Sequence, residues 1–270
     1  MSENISSAGN QQETSIIHRG ILRDYTPNAI PFSSDLVILI AILFTDGGIS
    51  KHRLNSWRIY FTNTSMIAIE LFIKSLVAVF QIPRERVKIR KIGGRYYFAT
   101  LTSKEIGEFL INSFGTFRTL KFKNGQYPKT LLPTKLLIKT NNISLFLRVA
   151  FTMDGGIKFY PVIDGKRTWL ERSITLACHH PVLREQYYQM IVSLNINAVN
   201  IENDKVIKIR GKENLERFNQ KIGFLDGIET TRHSKFWFGV EKSKVLDIMV
   251  KSYDLPSKYL ALPQFRIVKI

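Results

Sequence analysis

The sequence predicts an α+β fold, a tandem repeat of α-β-β-α-β-β-α that forms two antiparallel sheets around a central pair of packed helices. Three observations carry that prediction. The first is a doubled phrase, FTDGGIS at 44–50 and FTMDGGIK at 151–158, each behind an apolar lead, LVILIAILF and ISLFLRVAF. The second is spacing: from Asp46 to Gly115 is 69 positions (115 − 46), and from Asp154 to Gly223 is again 69 (223 − 154). The third is period-two alternation of apolar and polar residues in the segments after each aspartate, the mark of strands with one buried face.

The elements follow in order. Each apolar lead reads as a short helix that the following glycine can end, because glycine makes the left-handed turn without a Cβ clash. A buried parallel strand with Asp46 at its carboxyl end is the alternative. Arg148 in the second lead argues against it, since a strand buried on both faces does not easily admit an arginine. After Asp46, WRIYFT alternates as a half-buried strand, and SMIAIELFIKSLVAVF is an amphipathic helix capped near Ser65. VKIRKIGGRYYFAT reads as a hairpin about Gly93-Gly94. TSKEIGEFLINSFG is a helix with Thr102 and Glu105 in capping-box spacing, stopped by Gly115. After Asp154 the series returns: RSITLAC as a strand, PVLREQYYQMIVSL as a helix opened by Pro181, and NAVNIENDKVIKIRG as a hairpin near Asn203-Asp204. KENLERFNQKIG is the last helix, stopped by Gly223, and YPVIDGKRTWLE reads as a longer first loop in the second copy. The division expected is an irregular lead-in over 1–25 and two repeats over 26–133 and 134–270.

Composition bounds the function. The chain has 270 residues, 39 Lys and Arg against 22 Asp and Glu, and a net charge of +17, which calls for a polyanionic partner, foremost nucleic acid. The basic residues recur inside strand-like segments, so the expected binding surface is a structured one. Cys178 is the one cysteine, which excludes internal disulfides and a cysteine-based zinc cage. No apolar run reaches the roughly 18 residues of a membrane span. The opening MSENISSAGNQQETS lacks a signal peptide's apolar core, so an intracellular protein is expected.

The aspartates carry the chemistry. A carboxylate at a helix C-terminus faces a dipole that is already negative, at a cost of roughly 0.3–1 kcal/mol. A divalent cation reverses that sign, because the carboxylate and the exposed carbonyls are hard oxygen ligands. Two such acids brought together on a basic surface suit a metal-assisted attack on a phosphodiester.

LIAILFTDG at 39–47 and LRVAFTMDG at 147–155 resemble, without gaps, the nine-letter motif of the LAGLIDADG homing endonucleases in their single-chain, two-repeat form. The resemblance covers about residues 30 to 250. It implies two motif helices packed at a central pseudo-two-fold axis, saddle-shaped sheets on the major groove of double-stranded DNA, and a monomer. It implies catalytic acids at Asp46 and Asp154 that bind magnesium or manganese, with carbonyls near Gly47 and Gly155 as further ligands. The family's small third motif residue is met by Ala41, whereas the second copy has Val149 there and Ala150 beside it. By the same resemblance, Asn63 and His179 stand where a polar group helps to hold water near the metals. Lys121 and Lys235 are the candidate lysines after each repeat's last helix, with Arg118, Lys123 and Arg232 close by.

Alternation names the groove-facing side chains. With Trp57, Ile59 and Phe61 turned in, Arg58 and Tyr60 turn out. With Val87 and Ile89 in, Lys88 and Arg90 turn out, and with Ile207 and Ile209 in, so do Lys208 and Arg210. Arg95 and Tyr97 share a parity in the partner strand, and Lys158 closes the second phrase. Arginine can read guanine edges, whereas lysine more often holds phosphate. The function expected is a site-specific, metal-dependent DNA endonuclease that makes a double-strand break at a long site. An RNA maturase or a non-cleaving DNA-binding protein of the same fold is the alternative, and an unrelated phosphate-handling α/β enzyme the third.

Overall fold

The computed structural model describes residues 33–53, 55–133, 135, 139–165, 167–232, 234 and 236–255. The lead-in expected over 1–25 lies outside them.

Both apolar leads are helices. In α1 (Ser34–Phe44) the side chain of Ser33 caps the first turn, accepting from Leu36 N at 3.2 Å. From Leu36 to Phe44 every residue but Ile38 is buried. A helix apolar on all sides must be enclosed, and α1 is enclosed by α4 (Thr140–Asp154) and by the strands and helix that follow it. Arg148 fits because α4 keeps a less buried side, where its Nε donates to Ile222 O at 2.5 Å.

After α1 come β1 (Gly47–Arg53), β2 (Ser56–Asn63), α2 (Met66–Phe80), a short turn at Arg84–Arg86, β3 (Lys88–Ile92), β4 (Tyr96–Thr102) and α3 (Lys104–Phe114). After α4 the same order returns as β5 (Gly155–Asp164), β6 (Arg167–Ala177), α5 (Pro181–Ser193), β7 (Ala198–Ile201), β8 (Val206–Arg210) and α6 (Lys212–Lys221). The two sheets have matching orders, β1-β2-β4-β3 and β5-β6-β8-β7, with every pairing antiparallel. Inward residues such as Ile59, Phe61, Ile174, Leu176, Ile207 and Ile209 join one continuous core with the helices. One helix lies beyond the expected series: α7 (Lys242–Lys251), which packs on α6 and β5.

Four local expectations are corrected. YPVIDGKRTWLE is a ribbon rather than a loop: Val162 pairs with Trp169 and Asp164 with Arg167, across a turn in which Gly165 takes φ +57°. The cap of α3 is Ser103, whose Oγ accepts from Ile106 N and donates to Glu105, while Thr102 stays in β4. Ile89 has the inward parity, opposite Ala99, but is exposed because β3 is an edge strand with all five residues uncovered. The hairpin between β3 and β4 leaves Gly93, Gly94 and Arg95 between the paired Ile92 and Tyr96. The added turn residue moves the register of β4 by one, which turns each of its side chains to the other face.

A strap described over 115–133 follows α3 toward the second half. Phe117 packs on Phe44 with ring centroids 4.7 Å apart. The strap turns at 122–126, where Phe122 N donates to Gln126 O at 2.8 Å. It then lies on the second half, with Tyr127 against His180 at 5.0 Å and Leu132 N donating to Gln186 Oε1 at 3.0 Å.

Candidate active site

The site starts where the two motif helices stop. Thr45 folds its Oγ1 back onto Ala41 O (3.0 Å) and Ile42 O (3.1 Å), which occupies end carbonyls of α1 and leaves Asp46 in the turn. A Cβ on Gly47 would stand 2.8 Å from Ile42 O and 3.1 Å from Tyr60 O. In the second half a Cβ on Gly155 would meet Phe151 O at 2.2 Å. Each chain passes from helix to strand within a residue or two, and that abrupt junction fixes the carboxylate beside it.

The helices end together, so Asp46 and Asp154 share a hydrogen bond. Burial raises the pKa of both carboxyls. For Asp154, burial and then the charge of Asp46 push the group up to about 8. For Asp46, the shared bond, Lys242 and Asn63 offset part of the rise. The two carboxyls therefore share a proton and titrate as a pair.

Lys242, the first residue of α7, is 7% exposed and completes the centre. Its Nζ donates to Thr152 O at 2.6 Å and Gly155 O at 2.8 Å. Burial lowers its pKa to about 8 against the pull of Asp154 and Asp46. Lys242 follows the second repeat, where no motif or spacing in the sequence marks it. Of the two candidate lysines, Lys121 is exposed with its Nζ over the ring of Tyr127 at 5.0 Å, and Lys235 lies outside the described residues.

Asn63 and His179 are not equivalent. Asn63, two residues before the Ser65 cap of α2, donates from Nδ2 to Asp46 Oδ2 at 3.2 Å and accepts at Oδ1 from Ser65 N at 2.9 Å. The cap of α5 is His180, whose Nδ1 accepts from Leu183 N at 3.3 Å. Two residues before it stands Cys178. The sheet register agrees, since Gly47 pairs with Phe61 and Gly155 with Leu176. Cys178 is therefore the counterpart of Asn63, whereas His179 lies one residue further on and is exposed. Equal spacing from the two capping residues was the signal in the sequence that would have found it.

A divalent cation fits this donor set. Among the described residues no group of three or more His, Cys, Asp and Glu stands together. The protein ligands would be Asp46, Asp154 and backbone oxygens, with the other positions left to water and phosphate, as magnesium prefers. One expected ligand is corrected: Gly155 O is bonded to the Lys242 ammonium, which would repel a cation on the same oxygen. Gly47 opens β1 opposite Phe61.

Asp46 opens onto a cleft of ≈ 700 Å³ whose walls include Asn63, Arg95, Tyr96, Arg232, Phe238 and Lys242. On the first sheet Arg58, Tyr60, Lys88 and Arg90 share the outward face, where Arg90 lies over the ring of Phe98 at 4.8 Å and Arg58 meets His52 Nδ1 at 2.5 Å. Arg95 lies over Tyr96 at 4.9 Å. Tyr97 is a correction: the three-residue turn puts it opposite Asn63 and Lys91 on the inward face, and Tyr96 and Phe98 take the outward one. On the second sheet Lys158, Ser173 and Arg210 form one outward row. Lys208 shares that face but is paired with Glu171 at 2.7 Å.

No protein-family model matches the chain, and no curated protein matches it in sequence. In structure it is similar to I-SmaMI, a homing endonuclease solved on an uncleaved DNA target with calcium ions: TM-score 0.52 at 10% identity, over 88% of this chain and 99% of that one. This is the LAGLIDADG fold. It is also similar to I-DmoI in complex with DNA and manganese, with TM-score 0.47 and 13% identity over 70% and 96% of the two chains. The N-terminal LAGLIDADG domain of WhiA gives TM-score 0.42 and 16% identity over 84% and 98%. In the terms of the LAGLIDADG fold, α1 and α4 are the motif helices, and the Asp46–Asp154 pair lies at their shared end.

Proposed function

We propose that the protein is a site-specific endonuclease that hydrolyses both strands of double-stranded DNA at a long target, with divalent metal ions and as a monomer inside the cell. One observation carries this reading: two half-buried carboxylates, one at the end of each motif helix, meet, and Asp46 opens onto a cleft whose walls include Arg95 and Arg232 in a strongly basic chain. I-SmaMI, which shares the fold, is bound to DNA with calcium ions and supports the same partner and cofactor class here.

The residues divide the work. A magnesium or manganese ion held by Asp46 and Asp154 would polarise the scissile phosphate and make its bound water more acidic. Asn63 orients Asp46 through their 3.2 Å bond. Lys242 holds the end of α4 and adds positive charge at the point where the phosphate gains negative charge. The outward rows of Arg58, Tyr60, Lys88 and Arg90 and of Lys158, Lys208 and Arg210 would lie along the groove, with phosphate contacts fixing register and base contacts the sequence.

The test is a randomised pool of duplexes incubated with the protein in magnesium, in calcium and in a chelator, followed by sequencing of new ends. The expected result is one recurrent sequence cut on both strands in magnesium and not with the chelator. Tight retention of one sequence without cleavage in magnesium or manganese would favour the non-cleaving DNA-binding reading.

A further inference from the structure

Three consecutive aromatic residues, Phe236, Trp237 and Phe238, lie in the connection between α6 and α7. The middle one is anchored. Trp237 is 5% exposed and stacks on Phe159 at 5.2 Å with 8° between planes, and its Nε1 donates to Phe159 O at 2.5 Å. Backbone bonds from Thr230 N to Val240 O (2.8 Å) and from Gly239 N to Thr230 O (3.2 Å) close the loop around it. With Trp237 pinned inward, its neighbours turn out: Phe236 is 48% exposed and Phe238 67%.

Neither ring is loose decoration. Phe236 lies nearly parallel to Tyr160, 6.2 Å between centroids and 11° between planes, and Tyr160 belongs to the outward face of the second sheet. Phe238 lines the cleft that contains Asp46, Arg95, Arg232 and Lys242. Burying a phenylalanine is favourable, and the closed loop forgoes much of that gain at two positions. The surroundings name the occupant. A flat apolar ring set among arginines offers a stacking face to a nucleobase while the cations take the phosphates.

Resting on the DNA-binding part of the proposed function, we propose that Phe238 is an apolar wedge that enters duplex DNA and unstacks a base step beside Asp46. Unstacking a step is costly, and the cost is offset by the ring–base stack and by the added phosphate contacts of the bent duplex. A duplex already missing a base at one position spares that cost and is the better ligand.

The experiment measures binding, in a chelator so that nothing is cut, of a fluorescent mixed-sequence duplex and of the same duplex with one central abasic site. The wild-type chain is expected to prefer the abasic duplex by roughly tenfold, about 1.4 kcal/mol. Phe238→Ala brings that ratio close to one by losing more affinity for the abasic duplex than for the intact one, while its melting temperature stays near wild type. Phe238→Leu, which keeps the apolar bulk, retains part of the preference. A wild-type ratio near one, a ratio unchanged in Phe238→Ala, or equal loss on both duplexes overturns the wedge and leaves DNA binding standing. A wild-type chain that binds neither duplex overturns the DNA-binding reading, and the wedge with it.

Discussion

Asn63 and Cys178 hold the same place in the two repeats and meet their surroundings with opposite chemistry. The Asn63 amide donates to Asp46 at 3.2 Å, whereas the Cys178 thiol donates to His180 O at 3.5 Å, with burial pushing its pKa up to about 12. The carboxylate of the first repeat is held by a neighbour that has no like partner in the second. The two strands of a duplex are therefore expected to be cut at unequal rates. On a supercoiled plasmid carrying a selected site, nicked circles should accumulate before linear product. Asn63→Ala should slow the faster cut by about 10–100-fold, the usual range for losing a group that orients a ligand. Equal nicking rates on the two strands would count against the asymmetry.

Asp46→Asn and Asp154→Asn should each remove cleavage, since several kcal/mol of charge stabilisation depends on a cation that both acids hold. Duplex binding in calcium or a chelator should survive. Without metal and above about pH 8, where both carboxyls are ionised, both variants should melt at a higher temperature than the wild type, because each relieves a pair of like charges. Gel cleavage and calorimetry on the same preparations check both outcomes.

The metal-free protein should lose stability from about pH 5 to about pH 8. Asp154 has a folded pKa of about 8 against an ordinary 3.8, so over that range the folded chain keeps a proton that the unfolded chain has released. The raised pKa of Asp46 acts in the same direction. Above about 8 the sign changes for Lys242, whose folded value of about 8 lies below the ordinary 10.5, so the unfolded chain then binds more protons. Above 9.0 the raised Cys178 thiol opposes that gain, and the curve should flatten. Denaturant melts in a chelator across this range would show the fall, and added magnesium should restore most stability at the high-pH end, where the carboxylates are free to bind it.

Lys242→Met should destabilise the fold by about 3–5 kcal/mol, the cost of breaking a buried charged arrangement from one side. The loss leaves Thr152 O and Gly155 O without their donor and the acid pair without its nearest cation. Adding Asp154→Asn should recover part of the loss above about pH 8, where both carboxyls are ionised and one of the charges left unbalanced goes with it. A strictly additive double variant would show that Lys242 and Asp154 do not interact.

Affinity for duplex should fall by about 10³–10⁵ between 50 and 200 mM salt if six to ten phosphates are contacted. Reversing one outward charge, as in Arg90→Glu or Arg210→Glu, should flatten the salt slope. Lys208→Glu should change it less, because Lys208 is already paired with Glu171 at 2.7 Å. Titrations by fluorescence anisotropy at several salt concentrations measure the slopes.

The repeat was legible in the sequence because its signals are local. An apolar lead, an aspartate, a glycine and a fixed distance to the next helix stop all survive as letters. The inward faces of β2 and β8 were legible for the same reason, since a strand's alternation needs no knowledge of its neighbours. What escaped depends on single residues of register. One extra residue in the β3–β4 turn sent Tyr97 to the inward face, and one residue of difference before a helix cap exchanged His179 for Cys178. Lys242 escaped for another reason: its meaning lies in carbonyls that precede it by 90 and 87 positions, and no local pattern links them.

The strap between the halves suggests where this chain can be made in two pieces. Its first part, at Phe117, is held by the motif helix of the first half, and its last part, from Tyr127 to Leu132, by the opening of α5 in the second. Between them the turn over 122–126 is exposed throughout. A break there leaves each fragment its own clasp, and the two would rejoin along the seam of motif helices. Neither fragment alone carries both acids, so cutting would return only where the two fragments are present together.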